Sequence, residues 1–155
     1  MMSAGCSKKT STSDPSNKRK VLFLCTGNSC RSQMAEAIVN ARRPESWTAY
    51  SAGTQPVGYV HPKALQVLKE VGIHHVGRSK PVEEMQGIPF DLVITVCDQA
   101  AETCPLWLGP EKRIHHNLED PARDEGSQAE VLAAFRRVRD KIITEILPLL
   151  DEENC

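Results

Sequence analysis

Residues 20–36, KVLFLCTGNSCRSQMAE, decide how the rest of the chain is read. Val21 to Leu24 is a short continuous apolar run, the pattern of a strand buried on both faces. It ends on Cys25, and Arg31 follows six residues later with only Thr26, Gly27, Asn28, Ser29 and Cys30 between them. Helical composition then runs from Gln33 to Ala41 and stops at Arg42-Arg43-Pro44. An ordinary turn after a strand needs a Gly or an Asn, not this whole arrangement.

Strand and helix patterns continue to alternate from there. Thr48–Ser51 reads as a second strand closed by Gly53. His61-Pro62 opens a helix with Pro in its first turn, Leu65, Leu68 and Val71 on its inner face and Gly72 as its cap. Asp91–Val96 is the clearest strand, and Arg113–His116 is a fourth. The last element is one long helix. Ser127 and Glu130 form its capping box, and Val131, Phe135, Val138, Ile142, Ile146 and Leu149 line it, with Pro148 disturbing its final turn. This alternation predicts a single α/β domain, with a central four-stranded parallel sheet flanked by helices on both faces. Ligands of such sheets bind beyond the carboxyl ends of the strands, where both Cys25 and Cys97 fall.

A chain of 155 residues suits one domain with a core that needs no covalent staples. Residues 1–19 are polar and predict a disordered tail, 20–150 the catalytic domain, and 151–155 a C-terminal tail. The 19 basic and 20 acidic side chains nearly balance, which argues against a general nucleic-acid or membrane-surface role. No apolar run approaches the roughly 20 residues that span a bilayer. Ser3-Ala4-Gly5-Cys6 faintly resembles a lipidation site, but nothing apolar precedes it. The expectation is a cytoplasmic monomer, in which six cysteines serve chemistry or stand by rather than forming a disulfide framework.

The loop from Cys25 to Arg31 has the makings of an anion cradle. Gly27 is expected to take backbone angles closed to other residues, its small neighbours let consecutive N–H groups turn inward, and the helix start adds its own unpaired N–H groups and positive dipole end. Arg31 brings a planar fork of donors suited to a tetrahedral oxyanion. Thr26, Gly27, Asn28, Ser29, Cys30 and Arg31 are therefore the expected oxyanion-binding residues. The same donors and charge favour a thiolate at Cys25, to which Ser32 is close enough to donate a hydrogen bond.

CTGNSCRSQMAE resembles the active-site loop of the low-molecular-weight protein tyrosine phosphatase fold, in the form found in arsenate reductases. The similarity continues through YSAG and DLVITVCD to EDPA and covers most of residues 20–147. It implies that Asp120, restricted by Pro121 to an extended backbone, supplies the proton to a departing oxygen. Phosphate and arsenate share shape and charge, so the cradle alone leaves a phosphatase and a reductase equally open. Thiols reduce arsenic(V) but not phosphorus(V), which makes TVCDQAAETCP, residues 95–105, the discriminating stretch.

The spacing of Cys97 and Cys104 resembles that of thioredoxin-coupled arsenate reductases. The resemblance implies that Cys25 attacks arsenate, Cys97 attacks the adduct to release arsenite and form a Cys25–Cys97 disulfide, and Cys104 moves that disulfide to Cys97–Cys104. Reduced thioredoxin then resets the enzyme, with no bound cofactor. In one straight helix Cα atoms seven positions apart are roughly 10 Å apart, and a disulfide needs less than about 7 Å, so this polar segment must bend or unwind on oxidation.

Some reductases of the family also bind potassium. Asn28, Glu36 and Ser51 match such ligands, although Lys80-Pro81 stands where an acidic one is expected. Tyrosines that usually follow the Asp-Pro of the phosphatases are replaced here by Ala122, Arg123 and Asp124. Two rival readings stay open, a phosphatase acting through phosphocysteine and a cysteine-based sensor or metal module. A zinc site of Cys25, Cys30, Cys97 and Cys104 would have spacings unlike the usual tight knuckles. Cys6, Cys155, His115 and His116 are expected to lie outside the chemistry, Glu119 and Asp124 to be solvated charges, and Arg136, Arg137, Arg139 and Lys141 to form a solvated helix face.

Overall fold

The computed structural model describes residues 18–102, 104–105, 112–123 and 126–153. Cys6, Cys155, Asp124 and most of the N-terminal segment lie outside the described residues. Strand β1, Arg19–Cys25, is central, and Val21 to Leu24 are fully buried, as a strand covered on both faces requires. β2 (Trp47–Gly53) and β3 (Leu92–Thr95) flank it, and β4 (Arg113–His115) pairs with β3, so β2 and β4 are the two edges in the order β2-β1-β3-β4. Every pairing is parallel, with Cys25 opposite Gly53 and Leu24 opposite Thr95, so the carboxyl ends of β2, β1 and β3 lie side by side. The expected fold class, a single-domain four-stranded parallel sheet flanked by helices, is present.

Helix α1 (Arg31–Arg42) packs on β1 and β2, and α2 (Pro62–Glu70) packs against α1 and α4 (Gln128–Lys141). The short α3 (Asp98–Glu102) sits on β1 and β3. Where α2 begins, the His61 ring accepts a hydrogen bond from the Lys63 N–H, and at its end Gly72 takes φ +81°. Its inner face is Ala64, Val67 and Leu68 rather than the expected Leu65, Leu68 and Val71. The capping box of Ser127 and Glu130 is fully formed on α4.

The expected single last helix is broken. α4 stops at Lys141, a π-helical turn spans Ile142–Ile146, and α5 (Leu147–Glu153) follows with Pro148 in its first turn. Pro148 has no N–H to continue the ladder, and the Leu147 N–H instead reaches the Ile142 carbonyl five residues back. The extra residue rotates the apolar stripe, so Leu147 and Leu150 are buried and Leu149 only partly. α5 also occupies Asp151 to Glu153, inside the segment expected as a tail, while Arg19, placed in the N-terminal tail, opens β1.

Arg139 is a second correction. It is not on a solvated face but 8% exposed, with Nη1 donating to the Val67 carbonyl at 3.0 Å and to Glu70 at 2.8 Å. It therefore serves the unpaired carbonyls near the end of α2 while tying α4 to it. Substituting Ser127→Ala should lower stability by about 1 kcal/mol in urea unfolding.

Candidate active site

The Cys25–Arg31 loop is turned outward by its carbonyls. The N–H groups of Thr54, Gln55, Val57 and His61 donate to the carbonyls of Cys25, Thr26, Gly27 and Ser29 at 2.8–3.1 Å. The Ser79 hydroxyl adds a second bond to the Gly27 carbonyl. In a trans peptide the next N–H points opposite to the carbonyl, so this lacing directs the loop's N–H groups toward its concave side. Gly53 permits the close approach, because a Cβ there would stand 2.6 Å from the Thr26 oxygen.

Asn28, not Gly27, carries the left-handed turn, at φ +50°. Its side chain supports that conformation. The Lys80 N–H and Gln33 Nε2 donate to Asn28 Oδ1 at 2.9 and 3.0 Å, and Gln33 also holds the Asn28 carbonyl. Asn28 Nδ2 in turn donates to Ser32 Oγ at 2.8 Å, which leaves the Ser32 proton for Cys25 Sγ, 2.9 Å away. The Asn28 N–H donates to the same sulfur at 3.2 Å. Cys25 is 2% exposed at the floor of the loop. Two aimed donors and a helix N-terminus there stabilise negative charge on sulfur.

Cys30 contrasts with it. It is buried beside Ser29, and burial pushes its thiol up to about 11, so it stands as a neutral side chain. His75 closes the network from behind. Gln33 uses its amide nitrogen as donor, so its oxygen accepts from His75 Nε2 at 2.8 Å, and burial pulls the His75 pKa down toward that neutral form. No sequence signal marked Gln33 or His75 for this task.

A cavity of about 690 Å³ opens above Cys25 and is lined by Arg31, Tyr59, His61, Cys97 and Asp120 among others. Arg31 donates to the Leu118 carbonyl at 3.2 Å and faces Asp120 Oδ2 at 3.8 Å. Asp120 also accepts the Ala122 N–H and pairs with Arg123 at 3.6 Å. Glu119 is paired with Arg137. Cys97 is 6% exposed and its Sγ lies 3.2 Å from Thr26 Oγ1, and Cys25 and Cys97 line the same cavity. Cys104 does not line it. Cys104 is half-buried past the end of α3, and all four described cysteines are free thiols. Val57 and Tyr59, exposed at the mouth, had no motif to mark them.

The suspected potassium ligands do not fit that ion. Glu36 accepts from Ser51, and the Lys80 ammonium stands 3.7 Å from Glu36 Oε1 and 3.4 Å from Ser51 Oγ. Asn28 Oδ1 is taken by Lys80 N–H and Gln33. A fixed cation therefore fills the place, and burial pulls the Lys80 pKa down while Glu36 pulls it back up. Among the described residues no three His, Cys, Asp or Glu side chains converge as a metal site. No described helix is long and apolar enough to cross a membrane.

Residues 20–153 match the low molecular weight phosphotyrosine protein phosphatase family. An arsenate reductase of Halalkalibacterium halodurans is 42% identical over 127 residues, covering 81% of this chain and 91% of that protein. A solved arsenate reductase in the phosphate binding state superposes with a TM-score of 0.74 at 32% identity, over 88% of this chain and 99% of that one. A low molecular weight protein tyrosine phosphatase from T. tengcongensis superposes with a TM-score of 0.70 at 28% identity, over 87% and 99% of the two chains.

Thermal unfolding of the parent should be the same in potassium and choline chloride. Lys80→Ala leaves the Glu36 carboxylate without its cation. It should cost roughly 2 kcal/mol, and potassium should restore part of that loss in the variant alone.

Proposed function

The chain belongs to the low molecular weight phosphotyrosine protein phosphatase family, and within it we propose that this protein reduces arsenate to arsenite through Cys25 and a disulfide relay reset by thioredoxin. The Cys25 thiolate attacks arsenic while Arg31 and the inward N–H groups hold the remaining oxygens, and Asp120 protonates the oxygen that departs as water. Cys97 then attacks Cys25 Sγ. The sulfur–sulfur bond forms, the electron pair of the sulfur–arsenic bond stays on arsenic, and arsenic(V) leaves as arsenite. Cys104 attacks Cys97 and frees Cys25 as a thiolate, and thioredoxin reduces the Cys97–Cys104 bridge.

The observation that carries this reading is Cys97 against the loop, within hydrogen-bond reach of the residue next to Cys25. Phosphoester hydrolysis needs only the nucleophile, the cradle and the acid; a second thiol at the pocket wall has work only if the bound centre accepts electrons. The names of the relatives agree. A second reading, phosphatase action through a phosphocysteine, is favoured by the same cradle and by the fold shared with a tyrosine phosphatase. Against it, Ala122 and Arg123 follow Asp120-Pro121, with no aromatic there to hold an aryl ester.

Arsenite release by the reduced protein, with and without thioredoxin, tests the proposal. Cys104→Ser should yield one equivalent of arsenite and stop as a Cys25–Cys97 disulfide seen by mass mapping. Cys97→Ser should fall at least about 100-fold in arsenite formation, as expected for loss of a group in the reacting constellation. A parent that hydrolyses aryl phosphate but forms no arsenite overturns it.

A further inference from the structure

Strand β4 reaches the segment between Cys97 and Cys104 at both ends. His115 lies opposite Thr95 in the sheet and bonds its hydroxyl through Nδ1 at 2.8 Å, while Nε2 meets Asp98 Oδ1, in the first turn of α3, at 2.8 Å. Arg113, two residues earlier and so on the same face of the strand, directs Nη1 to Cys104 Sγ at 3.3 Å and Nη2 to the Pro105 carbonyl at 3.0 Å. One side chain of the strand thus holds the segment just after Cys97, and the other holds it at Cys104. Ile114 between them packs on the core, which anchors the pair.

Arg113 bears on Cys104 because of where that thiol sits. The thiol is half-buried, and burial raises its pKa while the Arg113 charge pulls against that rise. A guanidinium fork can hold the sulfur with one prong and the following carbonyl with the other, which a lysine cannot do.

We propose that Arg113 is the positioning residue of the resolving cysteine, stabilising Cys104 as a thiolate and aiming it for transfer onto Cys97. This rests on the relay proposed above. In the step it assists, the Cys104 thiolate forms a bond to Cys97 Sγ, the Cys25–Cys97 bond breaks, and Cys25 leaves as a thiolate. One disulfide replaces another without net oxidation. The departing sulfur is received by the Asn28 N–H and the Ser32 hydroxyl.

Two measurements on the full chain judge it, using Arg113→Met and Arg113→Lys. In the reduced protein at pH 7, alkylation of Cys104 by iodoacetamide, followed on the Cys104 peptide, should slow about tenfold in Arg113→Met, with Arg113→Lys between it and the parent. After a single arsenate turnover, Arg113→Met should release arsenite at the parent rate, which shows an intact pocket, yet accumulate the Cys25–Cys97 bridge where the parent holds Cys97–Cys104. An unchanged or faster Cys104 alkylation, or transfer of the bridge at the parent rate, overturns the role of Arg113. A parent that never forms Cys97–Cys104 overturns the relay instead, and the alkylation comparison still decides whether Arg113 activates the thiol.

Discussion

The outward lacing of the Cys25–Arg31 loop is the constraint on which the site depends. A peptide segment cannot present several N–H groups to one small anion unless its carbonyls are satisfied elsewhere, because a buried unpaired carbonyl costs about as much as the anion contact gains. Here residues 54–61 and Ser79 take those carbonyls. The segment after β2 is therefore part of the cradle even though most of its side chains never approach the sulfur. The parallel pairing of β1 and β2 makes this possible, since it ends both strands at the same level, with Gly53 beside Cys25. The close pass of Gly53 under the Thr26 carbonyl then sets how far the loop can settle toward the sheet.

From that constraint follows the difference between two cysteines of one loop. Cys25 receives the Asn28 N–H and the Ser32 hydroxyl, whereas Cys30 has its burial and one serine. Both are nearly inaccessible to solvent, so exposure does not separate them. Aimed donors do, because a thiolate in a dry site needs partners in place before the proton leaves. The Ser32 proton is available to Cys25 only because Asn28 occupies the hydroxyl's acceptor side, and Asn28 is oriented by Gln33 and Lys80. The donors at one sulfur are thus placed by residues packed a full layer behind it.

What was legible in the sequence is what lies contiguous along the chain. β1, the Cys25–Arg31 spacing, Gly72 and the Ser127 capping box each depend on a few neighbours, and each is found. Assigning the loop's special backbone to Gly27 failed because glycine is the general answer to positive φ, while Asn28 earns the conformation through bonds to Lys80, 52 positions away. The same blindness hid His75 behind Gln33 and sent Arg139 to the surface instead of to the end of α2. The broken last helix was half visible. Pro148 announced a disturbance, but that the ladder would absorb it as a π turn upstream depends on how Ile142, Ile146 and Leu147 are buried.

Phosphate and arsenate chemistry diverge only after the first covalent bond, and the proposed reductase must therefore carry its distinguishing parts outside the cradle. A thioester-like adduct to phosphorus has water as its natural acceptor, so the wall of a phosphatase pocket needs room for water and an acid-base. An adduct to arsenic can instead be split at sulfur, and then the wall must hold a second thiol close enough to reach the first. Cys97, just past the end of β3, lines the same cavity as Cys25, with its Sγ 3.2 Å from the Thr26 hydroxyl. Its partner cannot share the pocket, because a bridge enclosed there would be sealed from any protein reductant. Cys104 lies beyond α3, outside the cavity lining and partly open to solvent. The short helix between them has only Ala100 fully buried; His115 holds Asp98 at its start, Gln99 meets the Thr26 hydroxyl, and Arg113 holds Cys104 beyond its end. A helix held mainly by exposed side-chain contacts can shift at small cost, which is what the proposed relay from a closed pocket to an exposed surface requires of the element that carries it.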